Sequence, residues 1–233
     1  MYAANTTDFK YATPENVTEA DMCAFRGRDN IKEIDIGGEI EELSWYSLIN
    51  CSNLETLKLS SKLKSFDRDM TAYSFDNDLT NLKNIIVDEA NTEYESYNNE
   101  LFETGKKNLI LLPYGSDSIV IPKETEYICG GIAKNKFKNI KVEDGNKYFS
   151  VNSNVLYNKD ITEIIIFPSY KTTYTLPATL KEFPSMTYRY TEDYLDIKLH
   201  LQPYKLCCLL QLSHIPYFRL PLLSKPLLLY LNN

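Results

Sequence analysis

Apolar residues recur along this chain with two periods, one nested inside the other. The shorter is visible at Ile31, Ile34, Ile36, Ile40 and Leu43, and again 23 residues later at Leu54, Leu57, Leu59, Leu63 and Phe66. Each set has an I-x-I or L-x-L core, which places two side chains on one face of a strand and the residue between them on the other. A strand this short cannot persist as an isolated sheet, so it must stack on its neighbours, and a chain of such strands reads as a solenoid. Six strands are expected, centred on Asp35, Lys58, Ile86, Val120, Lys141 and Thr175. At about 4.8 Å per paired strand they would form a ladder about 29 Å long. Ile34, Ile36, Leu57, Leu59, Ile85, Val87, Ile140 and Val142 are expected to point inward.

The longer period is 55 residues: 82–128 aligns with 137–183 without a gap. Lys83, Asn84, Ile85 and Val87 return as Lys138, Asn139, Ile140 and Val142, and Asn91, Asn99 and Leu101 return as Asn146, Asn154 and Leu156. Ile110, Pro113 and Pro122 return as Ile165, Pro168 and Pro177. Such self-similarity is the sequence signature of a repeat architecture. Within each long unit, "NNELFETGKKNLILLP" and "NSNVLYNKDITEIIIFP" set two apolar runs around a turn-forming centre, at Gly105 to Lys107 and at Asn158 to Asp160. Each reads as an inserted β-hairpin, closed by Pro113 or Pro168 because proline cannot donate to a ladder. These hairpins are expected to project from the spine. The fold class is therefore a β-rich repeat solenoid of stacked short strands, leucine-rich-repeat-like, with inserted β-hairpins.

The fragments "CSNLETLKLSSKLKSF", "LKNIIVDEANTEYESYNNELF", "YGSDSIVIPKETEYI" and "GGIAKNKFKNIKVEDGN" resemble the BspA-like family of leucine-rich repeats. "CAF" at Cys23 to Phe25, "INC" at Ile49 to Cys51 and "IVIP" at Ile119 to Pro122 carry the likeness, which spans about residues 17 to 183. Gly131-Ile132-Ala133 stands where A-F is expected, and Asp67 to Asp78 lengthens one unit. The resemblance implies an adhesin-type surface antigen that binds host or cell-surface protein or glycan, placed at the cell surface or outside the cell.

Composition narrows the chemistry. The 233 residues carry 25 Lys and Arg against 32 Asp and Glu, a net charge of -7 that repels phosphate backbones and excludes nucleic acid as an expected partner. The two histidines, His200 and His214, lie outside the repeats, so a Ser/His/Asp or Cys/His nucleophilic site has little to be built from. Around them, Cys207 and Cys208 are adjacent and lack the separation that lets two thiolates face one zinc. The loop counted from Asp76 has Asn81 and Val87 where an EF-hand needs Gly and Glu. The glycines form no phosphate-binding array. Neither catalytic residue, metal nor cofactor is expected, and the chain reads as a non-catalytic protein-binding module.

The outward residues of the six strands, Asp35, Lys58, Ile86, Val120, Lys141 and Thr175, are the candidate partner-binding face. Tyr94, Tyr97, Tyr114, Tyr127, Tyr148, Tyr157, Tyr170 and Tyr174 cluster in or beside the hairpin units, where half-buried strand tyrosines and a recognition cluster are equally consistent readings. Cys51 is expected as a small buried thiol in a coil turn.

The first thirty residues hold no apolar run of the length a secretory signal needs, and the cysteines form no disulfide framework. Both features favour the alternative reading, an intracellular scaffold in the cytoplasm. Three parts are expected: an N-terminal extension at 1–16, the solenoid at 17–185 and an atypical Leu/Pro-rich tail at 186–233. Every acidic residue precedes Ile197, and the run from Leu206 to Leu231 is too interrupted by Gln211, His214, Pro216, Arg219, Pro221, Lys225 and Pro226 for a transmembrane helix. The tail is expected not to be integral to the solenoid, a shift of reading frame being one route to such a composition.

Overall fold

The computed structural model describes residues 9–67, 79–128, 136–168, 173–181 and 198–200. Over the first part of the chain the strands are β1 (Lys10–Ala12), β2 (Glu33–Ile36), β3 (Glu42–Ser44), β4 (Thr56–Leu59), β5 (Ser65–Asp67) and β6 (Asn84–Val87). β1, β2, β4 and β6 form a parallel four-stranded sheet in that order, and β3 pairs in parallel with β5 on a second side of the coil. The 23-residue period sets both registers: Ile34 lies opposite Leu57 and Leu43 opposite Phe66. The sequence pattern does not signal β1, because its residues, Lys-Tyr-Ala, lack an I-x-I core.

Inward stacking follows the alternation. Ile34, Ile36, Leu57, Leu59, Ile85, Val87 and Ile140 are buried as expected, together with Ile31, Ile40, Leu54 and Leu63 from the turns. Val142 is only half-buried, because its strand has a paired neighbour on one side alone. A short 3-10 turn, η1 (Trp45–Leu48), follows β3; Ser44 Oγ accepts from the Tyr46 amide at 3.3 Å and caps it, while Trp45 and Leu48 fill the coil interior. The coil corners at Gly27 and Asn50, also 23 residues apart, both take left-handed backbone, φ 73° and 60°. Glycine and asparagine tolerate that region better than other residues.

The second part contains β7 (Tyr94–Tyr97), β8 (Glu100–Glu103), β9 (Asn108–Leu111), β10 (Ser118–Ile121), β11 (Tyr127–Ile128), β12 (Asn139–Val142), β13 (Phe149–Asn152), β14 (Val155–Asn158) and β15 (Ile164–Ile166). The expected hairpins are present as β8–β9 and β14–β15, each with an added antiparallel strand in front, β7 or β13. The turns that join these added strands have two left-handed residues each, Asn98–Asn99 and Ser153–Asn154, as a tight two-residue hairpin turn requires.

The hairpins do not project. Leu101, Phe102, Leu109, Leu111, Val155, Leu156, Tyr157, Ile164 and Ile166 are buried, since β8 and β14 carry apolar side chains on both faces and can satisfy them only inside the body. Their entry breaks the spine. Instead of one six-stranded ladder, the strands form the sheet β1-β2-β4-β6, the pair β10-β12, and the pair β16 (Thr173–Thr175) with β17 (Lys198–His200). Of the tail expected at 186–233, only β17 is among the described residues, and its backbone runs parallel to β16.

Gly115 carries the chain across this break. Its amide donates to Leu82 O at 2.6 Å, and a Cβ added there would lie 2.5 Å from the Asn81 backbone carbon. Gly115→Ala is therefore expected to destabilise by about 1 to 3 kcal/mol, the usual cost of overpacking. Urea unfolding would measure it, and a loss below about 0.5 kcal/mol would show that the backbone yields.

Candidate binding face

Alternate side chains of the spine strands turn away from the core, and the register decides which of them line up. Asp35 lies opposite Lys58, and Lys58 opposite Ile86, so these three expected residues make one straight row. Val120 lies opposite Lys141 in a second group. Thr175 lies opposite His200 in a third, with its side chain outside the described residues. The hairpin insertions separate the groups, so the expected single file is three pieces. Asp35, Lys58 and Val120 are half-buried, whereas Lys141 and Ile86 are exposed.

Charge organises the first group. Glu33 sits between two ammonium groups, 2.8 Å from Lys58 and 3.0 Å from Lys10. Hydrogen bonding to Lys58, and then to Lys10, holds the Glu33 carboxyl below its ordinary value, and Glu33, reinforced by Asp35, raises the Lys58 ammonium. Beside them Asn84 donates to Thr56 Oγ1 at 3.2 Å. Ile86 is thus an exposed apolar side chain, 44% accessible, at the end of a row of charged neighbours. A second polar cluster forms where the first hairpin meets β12. Tyr97 Oη donates to Glu143 Oε1 at 2.8 Å, a bond that raises the Tyr97 hydroxyl, and Lys106 lies 5.2 Å from the Tyr97 ring centroid and 3.5 Å from Glu95.

The tyrosines divide. Tyr94, Tyr114 and Tyr157 belong to the core, Tyr97 is half-buried, and Tyr127 and Tyr148 are exposed; the side chains of Tyr170 and Tyr174 lie outside the described residues. Tyr94 spends its hydroxyl internally, accepting from the Phe66 amide at 2.8 Å, and burial raises it. Cys51 is buried as expected, its thiol 3.1 Å from Phe25 O, and neither it nor the half-buried Cys23 forms a disulfide. Among the described residues no group of His, Cys, Asp and Glu is placed to hold a metal ion. Asp76, Asp78, Cys207, Cys208, His214 and the His200 side chain lie outside them.

The pattern of alternation misses Lys10 and Glu33, which complete the charged group, and it misses Glu100 on β8. Glu33 is separated from Asp35 by a strand step of two, a signal that could have placed it on the same face. For Glu100 no such signal exists, because its burial depends on where the hairpin lands.

Parallel rungs with a buried apolar pair and a polar outer row define a leucine-rich-repeat solenoid. The family model for the BspA type leucine rich repeat region matches residues 4–108 in six copies, and that part of the chain is a BspA-type leucine-rich repeat. Among solved structures, the chain is similar to the pneumococcal vaccine antigen PcpA, with 19% identity and a TM-score of 0.45, over 82% of this chain and 45% of that one. It is also similar to a leucine-rich repeat protein from Eubacterium ventriosum, with 20% identity and a TM-score of 0.44, over 82% of this chain and 53% of the other. The chain thus spans about half the length of each. No curated protein matches it. Among the described residues no helix is long and apolar enough to cross a membrane.

Proposed function

We propose that this chain is a non-catalytic, adhesin-type binding module that contacts a host or cell-surface protein through the outer face of its spine. The observation that carries the reading is the row Asp35, Lys58 and Ile86, aligned by register, in which an exposed isoleucine stands beside a charged pair. Interface cores combine apolar contact with a polar rim, and such a row supplies both on a rigid sheet. Val120 and Lys141 extend the face beyond the hairpin. The surface location rests on the BspA-type family.

The test is saturable binding of host extract proteins to the immobilised chain, measured beside binding of cytosolic proteins from the producing cell. The double variant Lys58→Glu, Lys141→Glu is expected to weaken host binding by about tenfold through slower association and lost complementarity. Its thermal unfolding midpoint should stay close to that of the wild type, since the lost pair of Lys58 with Glu33 lies at the solvated face. Unchanged host binding in the variant moves the contact off this face. Saturable capture from the cytosol alone assigns the chain to the intracellular scaffold reading instead.

A further inference from the structure

Where the first hairpin enters, β6 and β10 each lose a strand neighbour, and their backbone amides must find other acceptors. Side chains of the hairpin supply them. Ser96 Oγ accepts from the Val87 amide at 3.3 Å on the β6 side, and Glu100 Oε1 accepts from the Val120 amide at 3.2 Å on the β10 side. In the second unit Asn154 does the same for β12, accepting from the Ile140 amide at 2.6 Å and donating to Lys138 O at 2.7 Å.

Glu100 differs from the other two in being ionisable and fully buried, at 0% exposure. Its second oxygen, Oε2, has no hydrogen-bond partner among the described residues. No ion pair to a described lysine or arginine compensates it. β6, β9 and β10, which pack around it, carry no ionisable side chain. On β7, Glu95 is engaged by Lys106 and Tyr97 by Glu143. The charged group that acts on it is Glu143, just beyond β12, which is of the same sign. The 55-residue repeat provides an internal control: the residue after the corresponding left-handed turn is Val155, also at 0% exposure. The site accepts a neutral side chain and offers a charged one a single donor, the Val120 amide.

We propose that Glu100 is a proton-operated latch: while its carboxyl carries a proton it pins the β7–β8 hairpin to strand β10, and when the proton leaves the hairpin loosens from the spine. An ionised carboxylate there would have an oxygen shielded from solvent and without a donor among the described residues, next to Glu143, and opening the hairpin is the way to hydrate it. Burial, helped by Glu143, raises the Glu100 carboxyl from 4.5 to about 8. Between those values the folded chain holds a proton that the unfolded chain has lost, so this group's contribution to stability declines as pH rises and levels off above about 8.

Hydrogen exchange tests the latch from about pH 6 to about pH 9, with the β2 and β4 amides as reference for the intrinsic rate change. In the wild-type chain the β7–β8 amides are expected to lose protection relative to that reference by about tenfold per pH unit between about pH 6 and about pH 8, and to level off above it. Glu100→Gln should hold the ratio constant, and so should Glu100→Val, which copies the second unit's Val155. A constant ratio in the wild type, or the same loss in both variants, overturns the proposal. Should neither variant fold, the carbon-13 shift of the wild-type Glu100 carboxyl decides: a midpoint in the ordinary carboxylate range, near 4.5, sinks the latch, and one near about 8 supports it.

Discussion

Replacing Asn146 with alanine should cost about 3 to 5 kcal/mol, more than any other single polar substitution among the described residues. The side chain is buried and uses its whole amide. Nδ2 donates to Pro122 O at 2.8 Å and Thr125 O at 2.9 Å, and Oδ1 accepts from the Tyr148 and Phe149 amides at 2.8 Å each. Alanine leaves four backbone groups without that partner in a place where water enters poorly, and each unsatisfied buried group costs roughly 1 to 3 kcal/mol before relaxation. Aspartate keeps the two acceptor bonds but turns both donor bonds into repulsions with carbonyl oxygens, so Asn146→Asp should be at least as harmful at neutral pH. Chemical denaturation of the three chains checks this ranking. A loss under about 1 kcal/mol in Asn146→Ala would mean that the turn reorganises around the gap.

Leu57→Ala is expected to cost about 2 to 5 kcal/mol, as for other fully buried leucines. Leu57 has 0% exposure, and its register partners are Ile34 on one side and Ile85 on the other, both buried. The cavity would therefore open between two rungs whose backbones are held at the fixed spacing of a parallel sheet, which limits collapse into the void. In a solenoid each coil contacts mainly its neighbours, so damage at β4 is transmitted to β2 and β6 first. The measurement is the urea midpoint together with its slope. A lower midpoint at unchanged slope is expected; a reduced slope would indicate that the coils around β4 unfold apart from the rest.

The inward positions were legible because period-two alternation needs only local sequence. Val142 broke the rule because burial at the edge of a two-stranded pair depends on the next coil, which alternation does not report. The hairpin strands were legible from their apolar runs, but their position was not. Strands with apolar residues on both faces must be covered twice, and only the folded chain shows that the cover comes from splitting the spine. The outer row was readable for the same reason as the core: a register of 23 and then 28 residues aligns Asp35, Lys58 and Ile86. Its interruption before Val120 was not, and neither was the burial of Glu100, the residue at that interruption.

Asn91 repeats the bonding of Asn146 one unit earlier, donating to Ser60 O and Leu63 O and accepting from the Glu93 and Tyr94 amides. The accepting partners are Ser and Leu in one case and Pro and Thr in the other, yet both are carbonyls three residues apart in a turn whose last amide bonds back to the first carbonyl. The joint between coils is therefore a plug of fixed chemistry in a socket made of backbone alone. Sequence drift under this arrangement is lopsided: the coil that offers the socket is at liberty to change its side chains, while the coil that brings the plug must keep one amide. That asymmetry lets two units differ at most positions and still fit the same neighbour.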